Sequence, residues 1–357
     1  MAELWTHGYA SPRGITALAR RVEDKGWDGL CVVDSQNLSG DPYVALAMAA
    51  TVTERIGLGT AVTNSVTRMA AATACAIASV DKVSNGRAVL GISRGDSALA
   101  HLGLAPARFA QFERYLRHVQ AFLRGDSVPF SELEVSADIA PPVEDLGLAE
   151  SPDVSQIFWL GGDRKVPVEV AATGPRAIAL AALHAERVMF ALGADPARIA
   201  WGIGVAKQAR ADAGLDPDAI RFGAYVNCVC HSDLTTARTL VRGALSLFAR
   251  FSILHGKPAG PMPAPMVRAL EAFRDTYDMR EHSKNDSPQA EALTVELTDY
   301  FAIVGPPQTC IERLTALADR GLDKLFIAAN FRVADTPLGR EAHGLFEEAV
   351  LPELRHD

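Results

Sequence analysis

Cysteine is scarce in this chain and aromatic residues are few. There are five cysteines in 357 residues, and Phe, Trp and Tyr make up 7%. The count is odd and no signal peptide opens the chain, so we expect free thiols in a reducing cytoplasm, not a disulfide framework. Cys31 and Cys75 fall in apolar runs and read as small core residues. Cys228-Val229-Cys230 reads as part of a strand with its two thiols on opposite faces, a poor start for a metal site, and no metal is expected. Basic runs are missing as well. Lys and Arg number 35 against 43 Asp and Glu, a formal net charge of -8, which argues against a nucleic-acid partner. No apolar run nears the roughly 18 residues that a membrane span needs, so no membrane partner is expected. What is present, 48% hydrophobic and 22% charged residues, is the composition of a globular enzyme and excludes a disordered chain.

The most regular stretch is residues 56–97. Ile56–Val62 is apolar and β-prone, Thr63-Asn64-Ser65 is a polar exit, and Met69–Val83 is Ala-rich and helical. Asn85-Gly86 stops that helix, and Arg87–Ser93 is a second apolar run that ends in Arg94-Gly95-Asp96-Ser97. Two buried parallel strands joined by a helix have this pattern. The same rhythm precedes it. Glu3–His7 is a strand, a helix opens at Ser11-Pro12-Arg13, Trp27–Val33 is a strand with Asp34-Ser35-Gln36-Asn37 as its exit, and Asp41-Pro42 starts the helix Tyr43–Val52. It resumes after the helix Pro106–Leu123 with strands at Val166–Ala172, Arg187–Ala191, Ile220–Cys230 and 324–329, separated by helices.

Eight such units predict an α/β protein, a (β/α)8 TIM barrel read as one domain over 1–357. Two irregular, Pro-rich stretches, 125–165 and 256–298, read as insertions at the active-site end that choose the substrate, the first with a short strand at Ile157–Leu160.

In such a barrel the chemistry belongs at the carboxyl ends of the strands. Gly91, Gly95 and Gly174 let the backbone approach a flat ligand or a phosphate. Thr173-Gly174-Pro175-Arg176 precedes a helix, so its N–H groups and the Arg176 guanidinium suit a phosphate. Asp34 and Asp96 follow the second and fourth strands. Each suits orienting a reacting group or acting as a general acid, and each equally suits capping the segment after it. Arg68 and Arg94 suit an acidic substrate or a cofactor tail.

The stretches 26–37 (GWDGLCVVDSQN), 61–68 (AVTNSVTR), 86–103 (GRAVLGISRGDSALAHLG), 170–182 (VAATGPRAIALAA) and 305–327 (GPPQTCIERLTALADRGLDKLFI) together resemble the bacterial luciferase-like superfamily of flavin- and deazaflavin-dependent oxidoreductases. The resemblance is closest to the methylenetetrahydromethanopterin reductase branch, which uses coenzyme F420. It implies an F420-dependent oxidoreductase moving a hydride to or from a small organic substrate. An FMN-dependent monooxygenase and a cofactor-free binding or structural barrel stand as alternatives. It also implies a non-prolyl cis peptide at Ala61-Val62 beneath the middle ring of the cofactor, and hydrogen bonds from Asn64 and Ser93 to its pyrimidine edge or ribityl chain. Sugar-phosphate dehydrogenases of the superfamily carry histidine where Ser35 stands. The usual base is therefore missing here, and His7, at the end of the first strand, is the nearest replacement. A homodimer through the second and third helices is implied as well, with the Ala-rich segment 70–78 as its close-packing surface.

Overall fold

The computed structural model describes residues 2–355 except 134, 137, 161–163, 255 and 329–330. Among these, eight parallel strands form the barrel: β1 (Glu3–Gly8), β2 (Gly29–Val32), β3 (Gly57–Thr60), β4 (Ala88–Ser93), β5 (Val168–Ala172), β6 (Arg187–Phe190), β7 (Arg221–Cys230) and β8 (Lys324–Ala328). Each pairs with the next, and β8 returns to β1 with Glu3, Leu4 and Trp5 opposite Lys324, Leu325 and Phe326. Closure leaves no sheet edge. The expected helix 235–255 and the expected last strand 324–329 end on residues 255 and 329, which lie outside the described residues.

Helices follow the strands in order: α1 (Ile15–Asp24), α2 (Pro42–Ala50), α3 (Ala70–Val83), α4 (Phe109–Arg124), α5 (Pro175–His184) and α6 (Pro196–Asp212). After β7 the chain makes α7 (Leu234–Phe251), α8 (Ala264–Arg274) and α9 (Val295–Phe301) before the regular pattern returns with α10 (Pro307–Ala318) and, after β8, α11 (Pro337–Ala349). Local chemistry explains several starts. Asp41 accepts from the N–H groups of Tyr43 and Val44 at 2.9 and 3.1 Å, with Pro42 in the first turn of α2, which satisfies donors that the helix itself leaves open. The first helix begins later than expected. Ser11 does not cap it; its hydroxyl accepts from Gly14 N–H at 3.3 Å, and α1 starts at Ile15.

Side chains alternate between the lumen and the helical shell. Trp5, Cys31, Met189, Tyr225 and Phe326 are buried inside the barrel. Gly29 and Gly57 flank Trp5 because a Cβ at either would strike the indole. Beneath this layer Glu169 accepts from Arg187 and, at 2.8 Å, from Lys324, whose Nζ lies 3.3 Å from the centre of the Trp5 ring. The lumen is therefore plugged, and ligand space lies above it.

Two expectations change here. Cys228 and Cys230 do not diverge: residues two apart on a strand share a face, and both belong with Cys310 to the core between barrel and helices. All five cysteines are free thiols.

Among its described residues, the stretch 125–165 does not cover the mouth. It links the end of α4 to the start of β5, both at the amino-terminal floor. Gln156 donates to Gly125 O at 2.7 Å, and Lys165 pairs with Glu186, just before β6, at 2.8 Å. Its strand is Val154–Ser155, antiparallel to Val128–Pro129, and Phe158 and Trp159 beyond it are exposed. The second stretch does belong to the mouth. The segment from α7 to α9 leaves the carboxyl end of β7 and returns as Ile303–Gly305, paired with Cys228–Cys230.

Candidate active site

The rim is built where the strands end. Beyond β3 the Ala61-Val62 peptide is cis, and Thr63-Asn64 pairs with Ile92-Ser93 of β4. His7, Ala61 and Val62 are half-buried at the top of the lumen, with the His7 ring centre 5.2 Å from that of Phe326.

Asn64 divides its amide between two tasks. Its Oδ1 accepts from the N–H groups of Val66 and Thr67 at 2.9 and 3.0 Å, which fixes the loop. Its Nδ2 is buried and has no partner among the described residues, and the same is true of Ser35 Oγ. A buried donor without a partner costs on the order of 1–3 kcal/mol, so both atoms mark places where a ligand or water completes the structure. Ser93 accepts from Gly95 N–H at 3.2 Å.

Of the three glycines, only Gly174 opens onto free space. A Cβ at Gly91 would strike the carbonyl of Thr60, and Gly95, at φ +87°, lies against Leu99 and the Cβ of Asn64. Those two are required by packing and backbone conformation, whereas Gly174 is available to a ligand.

Two cations converge beside Gly174. The guanidinium groups of Arg94 and Arg176 lie 3.9 and 4.3 Å from the centre of one ring, that of Phe109. Arg94 also donates to Ala107 O at 2.6 Å. Its pKa is lowered, first by burial and then by the neighbouring charge of Arg176. No carboxylate among the described residues pairs with either group. Arg176 sits in the first turn of α5, whose leading N–H groups have no intrahelical partner. Thr173 donates to Ala191 O at 3.3 Å, tying this turn to the exit of β6. An unpaired double positive charge at a helix N-terminus suits a phosphate.

Asp34 is elsewhere. Its side chain is 1% exposed and accepts from Thr63 Oγ1 at 2.7 Å and Arg68 Nη1 at 2.6 Å. Arg68 continues to Asp41 at 2.7 Å and lies over the Tyr43 ring. The Asp34 carboxylate thus ties the β2 exit to the loop after β3 and to α2. It does not cap a helix, and it is not presented at the mouth.

Asp96 is at the mouth. It caps nothing: the short helical turn Ser97–Ala100 receives no side-chain cap bond. Its Oδ2 pairs with Arg250 of α7, a residue that our reading of the sequence passed over. Arg250 is buried, and its guanidinium lies 4.6 Å from the Tyr277 ring centre and 5.7 Å from that of Phe251. Tyr277 Oη is 2.8 Å from His282 Nδ1, and burial pushes the Tyr277 pKa up to about 12. Phe248 and Phe251 pack against the lumen cluster around Tyr225. A signal was available in Phe248-Ala249-Arg250-Phe251, where an arginine interrupts an apolar helical face. Among the described residues no group of His, Cys, Asp and Glu side chains is arranged to hold a metal ion, and no helix is long and apolar enough to cross a membrane.

Comparison with known proteins gives a consistent picture. The model of the family described as luciferase-like monooxygenase matches residues 2–324. The chain is 26% identical over 354 residues to a 5,10-methylenetetrahydromethanopterin reductase from Archaeoglobus fulgidus, covering 94% of this chain and 93% of that one. Among solved structures, the coenzyme F420 dependent tetrahydromethanopterin reductase from Methanopyrus kandleri superposes with a TM-score of 0.70 at 19% identity, over 99% of each chain. An F420-dependent secondary alcohol dehydrogenase, solved with an F420-acetone adduct, gives 0.67 at 16% identity, again over 99% of each.

Proposed function

Since residues 2–324 match its model, the chain belongs to the luciferase-like monooxygenase family, and we propose that it is an F420-dependent oxidoreductase that moves a hydride to or from a small organic substrate. The observation that carries the cofactor site is the pair Arg94 and Arg176 on Phe109. These guanidinium groups, with the first N–H groups of α5 and the open Gly174, would hold the cofactor phosphate. Asn64 Nδ2 supplies a buried donor for a ring carbonyl, and Ser35 Oγ is a second buried group without a partner among the described residues. The choice of F420 over FMN is supported by the full-length similarity to a methylenetetrahydromethanopterin reductase and by the two F420-dependent structures.

When bound, F420 supplies a ring carbon that gives or takes the hydride. The chain's own residues do the rest. The plugged lumen of Trp5, Tyr225 and Phe326 sets the depth of the site. Phe248 and Phe251, packed on the lumen cluster, would exclude water from above, which strengthens the polar contacts beneath them. Asp96, with Oδ1 unpartnered among the described residues, accepts a hydrogen bond from the reacting partner and fixes its orientation. His7 is a further titratable group at the top of the lumen.

The test is a fluorescence titration of purified protein with F420 and with FMN. Tight uptake of F420 and weak uptake of FMN is the expected result. The reverse would replace this reading with the FMN monooxygenase, and uptake of neither would replace it with a cofactor-free barrel.

We further infer one domain over the whole chain, a cytoplasmic setting that suits five free thiols, and a homodimer. The dimer is supported by apolar side chains on the outer faces of α2 and α3, where Val44 is 53% exposed and Met69, at the start of α3, is 55% exposed. Sedimentation velocity should report twice the chain mass, and Val44→Glu with Met69→Glu should halve it.

A further inference from the structure

Building on the functional reading above, we propose that Arg250 is the positioning residue of Asp96, reaching from the cap over the barrel mouth to hold that carboxylate in its working orientation. Asp96 sits in a short connection after Gly95, which has φ +87°, and its side chain makes no cap bond to the helical turn that follows. What restrains it is Arg250, 154 residues away in sequence.

Arg250 is itself held. It is 8% exposed, and its guanidinium lies over the ring of Tyr277 from the 256–298 stretch. Tyr277 is held in turn by His282. Bonds between ionised partners are the strong, geometrically selective ones, and a planar guanidinium held by an aromatic face has few orientations left. The pair occupies Oδ2 of Asp96 and leaves Oδ1, so the carboxylate is aimed and still able to accept. Cap and rim therefore form one unit: displacing α7 or Tyr277 displaces the group that orients the substrate. Misplacing such a group by about 1 Å costs roughly 100-fold in rate.

Two measurements decide this. The first follows oxidation of reduced F420 by a panel of enones, imines and oxygen in wild type, Arg250→Gln, Arg250→Lys, Asp96→Asn and the Arg250→Gln/Asp96→Asn double variant. Arg250→Gln should lower kcat about 100-fold while the F420 dissociation constant stays within about twofold. Arg250→Lys should recover part of the loss, and the double variant should be no slower than Asp96→Asn alone. Additive losses, or an Arg250→Gln variant as fast as wild type, would overturn the proposal.

The second needs no cofactor. Thermolysin cleavage of the 256–298 stretch in the apoprotein should accelerate in Asp96→Asn and at least as much in Arg250→Gln, which also loses the guanidinium over Tyr277, and the double variant should be cut no faster than Arg250→Gln alone. Independent accelerations that multiply in the double variant would also overturn it. A wild-type protein that takes up neither F420 nor FMN would end the functional reading, while the proteolysis measurement would still decide whether Arg250 and Asp96 form a link.

Discussion

Arg68 donates to the carboxylate of Asp34 across 2.6 Å, from the loop after β3 to the exit of β2. Thr63 completes the contact at 2.7 Å. This pair gives a conspicuous active-site motif a structural task. Removing one partner of a buried ion pair leaves the other charge uncompensated, at a typical cost of about 3–5 kcal/mol. Arg68→Ala, which leaves the Asp34 carboxylate, 1% exposed, with only the Thr63 hydroxyl, should therefore lower stability to urea by about that amount, with the midpoint shifted and the slope kept. A variant that unfolds at the wild-type midpoint would return Asp34 to the list of chemical residues.

Arg176 makes its described contact through Phe109 and has no carboxylate to lose. Arg176→Ala should weaken cofactor binding by about 1.5–3 kcal/mol, the range for a hydrogen bond to a charged group. Turnover at saturating cofactor should change less. An unaltered dissociation constant would remove Arg176 from the phosphate site.

Asp96→Asn keeps the size of the side chain and changes what it can offer to a reacting group. Loss of a proton-transfer or orienting carboxylate typically costs roughly 100- to 10,000-fold in rate. The expected pattern is a fall in kcat and kcat/KM together, the mark of an interaction made in the transition state, with cofactor affinity kept. Equal activity on every accepted substrate would reject the assignment.

Glu347 of α11 gives a pH dependence with a definite sign. Burial opposes its charge, but His343 and Arg21 outweigh that and lower its pKa from 4.5 to about 2. Its contacts with His343 and Arg21 are 3.0 and 3.1 Å, and Trp27 Nε1 donates to it at 3.2 Å. A carboxylate with a depressed pKa in the folded state stabilises fully above its unfolded value and loses that contribution as pH falls. The protein should lose on the order of 1–3 kcal/mol between pH 4.5 and 2 from this group. Glu347→Gln should flatten that part of a stability-against-pH curve, read by urea unfolding at successive pH values.

Arg198 is fully buried and donates to Leu192 O at 2.5 Å, Ser252 Oγ at 3.0 Å and Ala259 O at 2.7 Å. It fastens the start of the 256–298 stretch to the β6 exit. Arg198→Met leaves two buried acceptors, Leu192 O and Ser252 Oγ, and the half-buried Ala259 O without their donor, each buried one worth about 1–3 kcal/mol. The expected result is a protein destabilised by several kcal/mol, with thermolysin cutting first near Ala259.

The order of strands and helices, and hence the closed barrel, was legible from the period of apolar residues and from the turn residues between them. These signals are local: a helix start such as Asp41-Pro42 is decided by the N–H groups two and three residues on. The strand exits were legible for the same reason, since a residue that ends a parallel strand lies at its carboxyl-terminal end, whichever way its side chain then turns. The floor position of 125–165 was also implicit in that order, because a connection from helix to strand ends at the amino-terminal face.

What only the tertiary structure decided is which polar groups meet. Asp34 and Asp96 look alike in sequence, each an aspartate shortly after a strand. One turns into the shell toward Arg68, and the other stands at the mouth against Arg250, 154 residues away. Phe109 likewise brings together Arg94, from the loop after β4, and Arg176, from the first turn of α5, on one ring. Periodicity reports which face of an element is buried. The partner of a buried charge is set by closure of the barrel and packing of the cap, and no local pattern carries it.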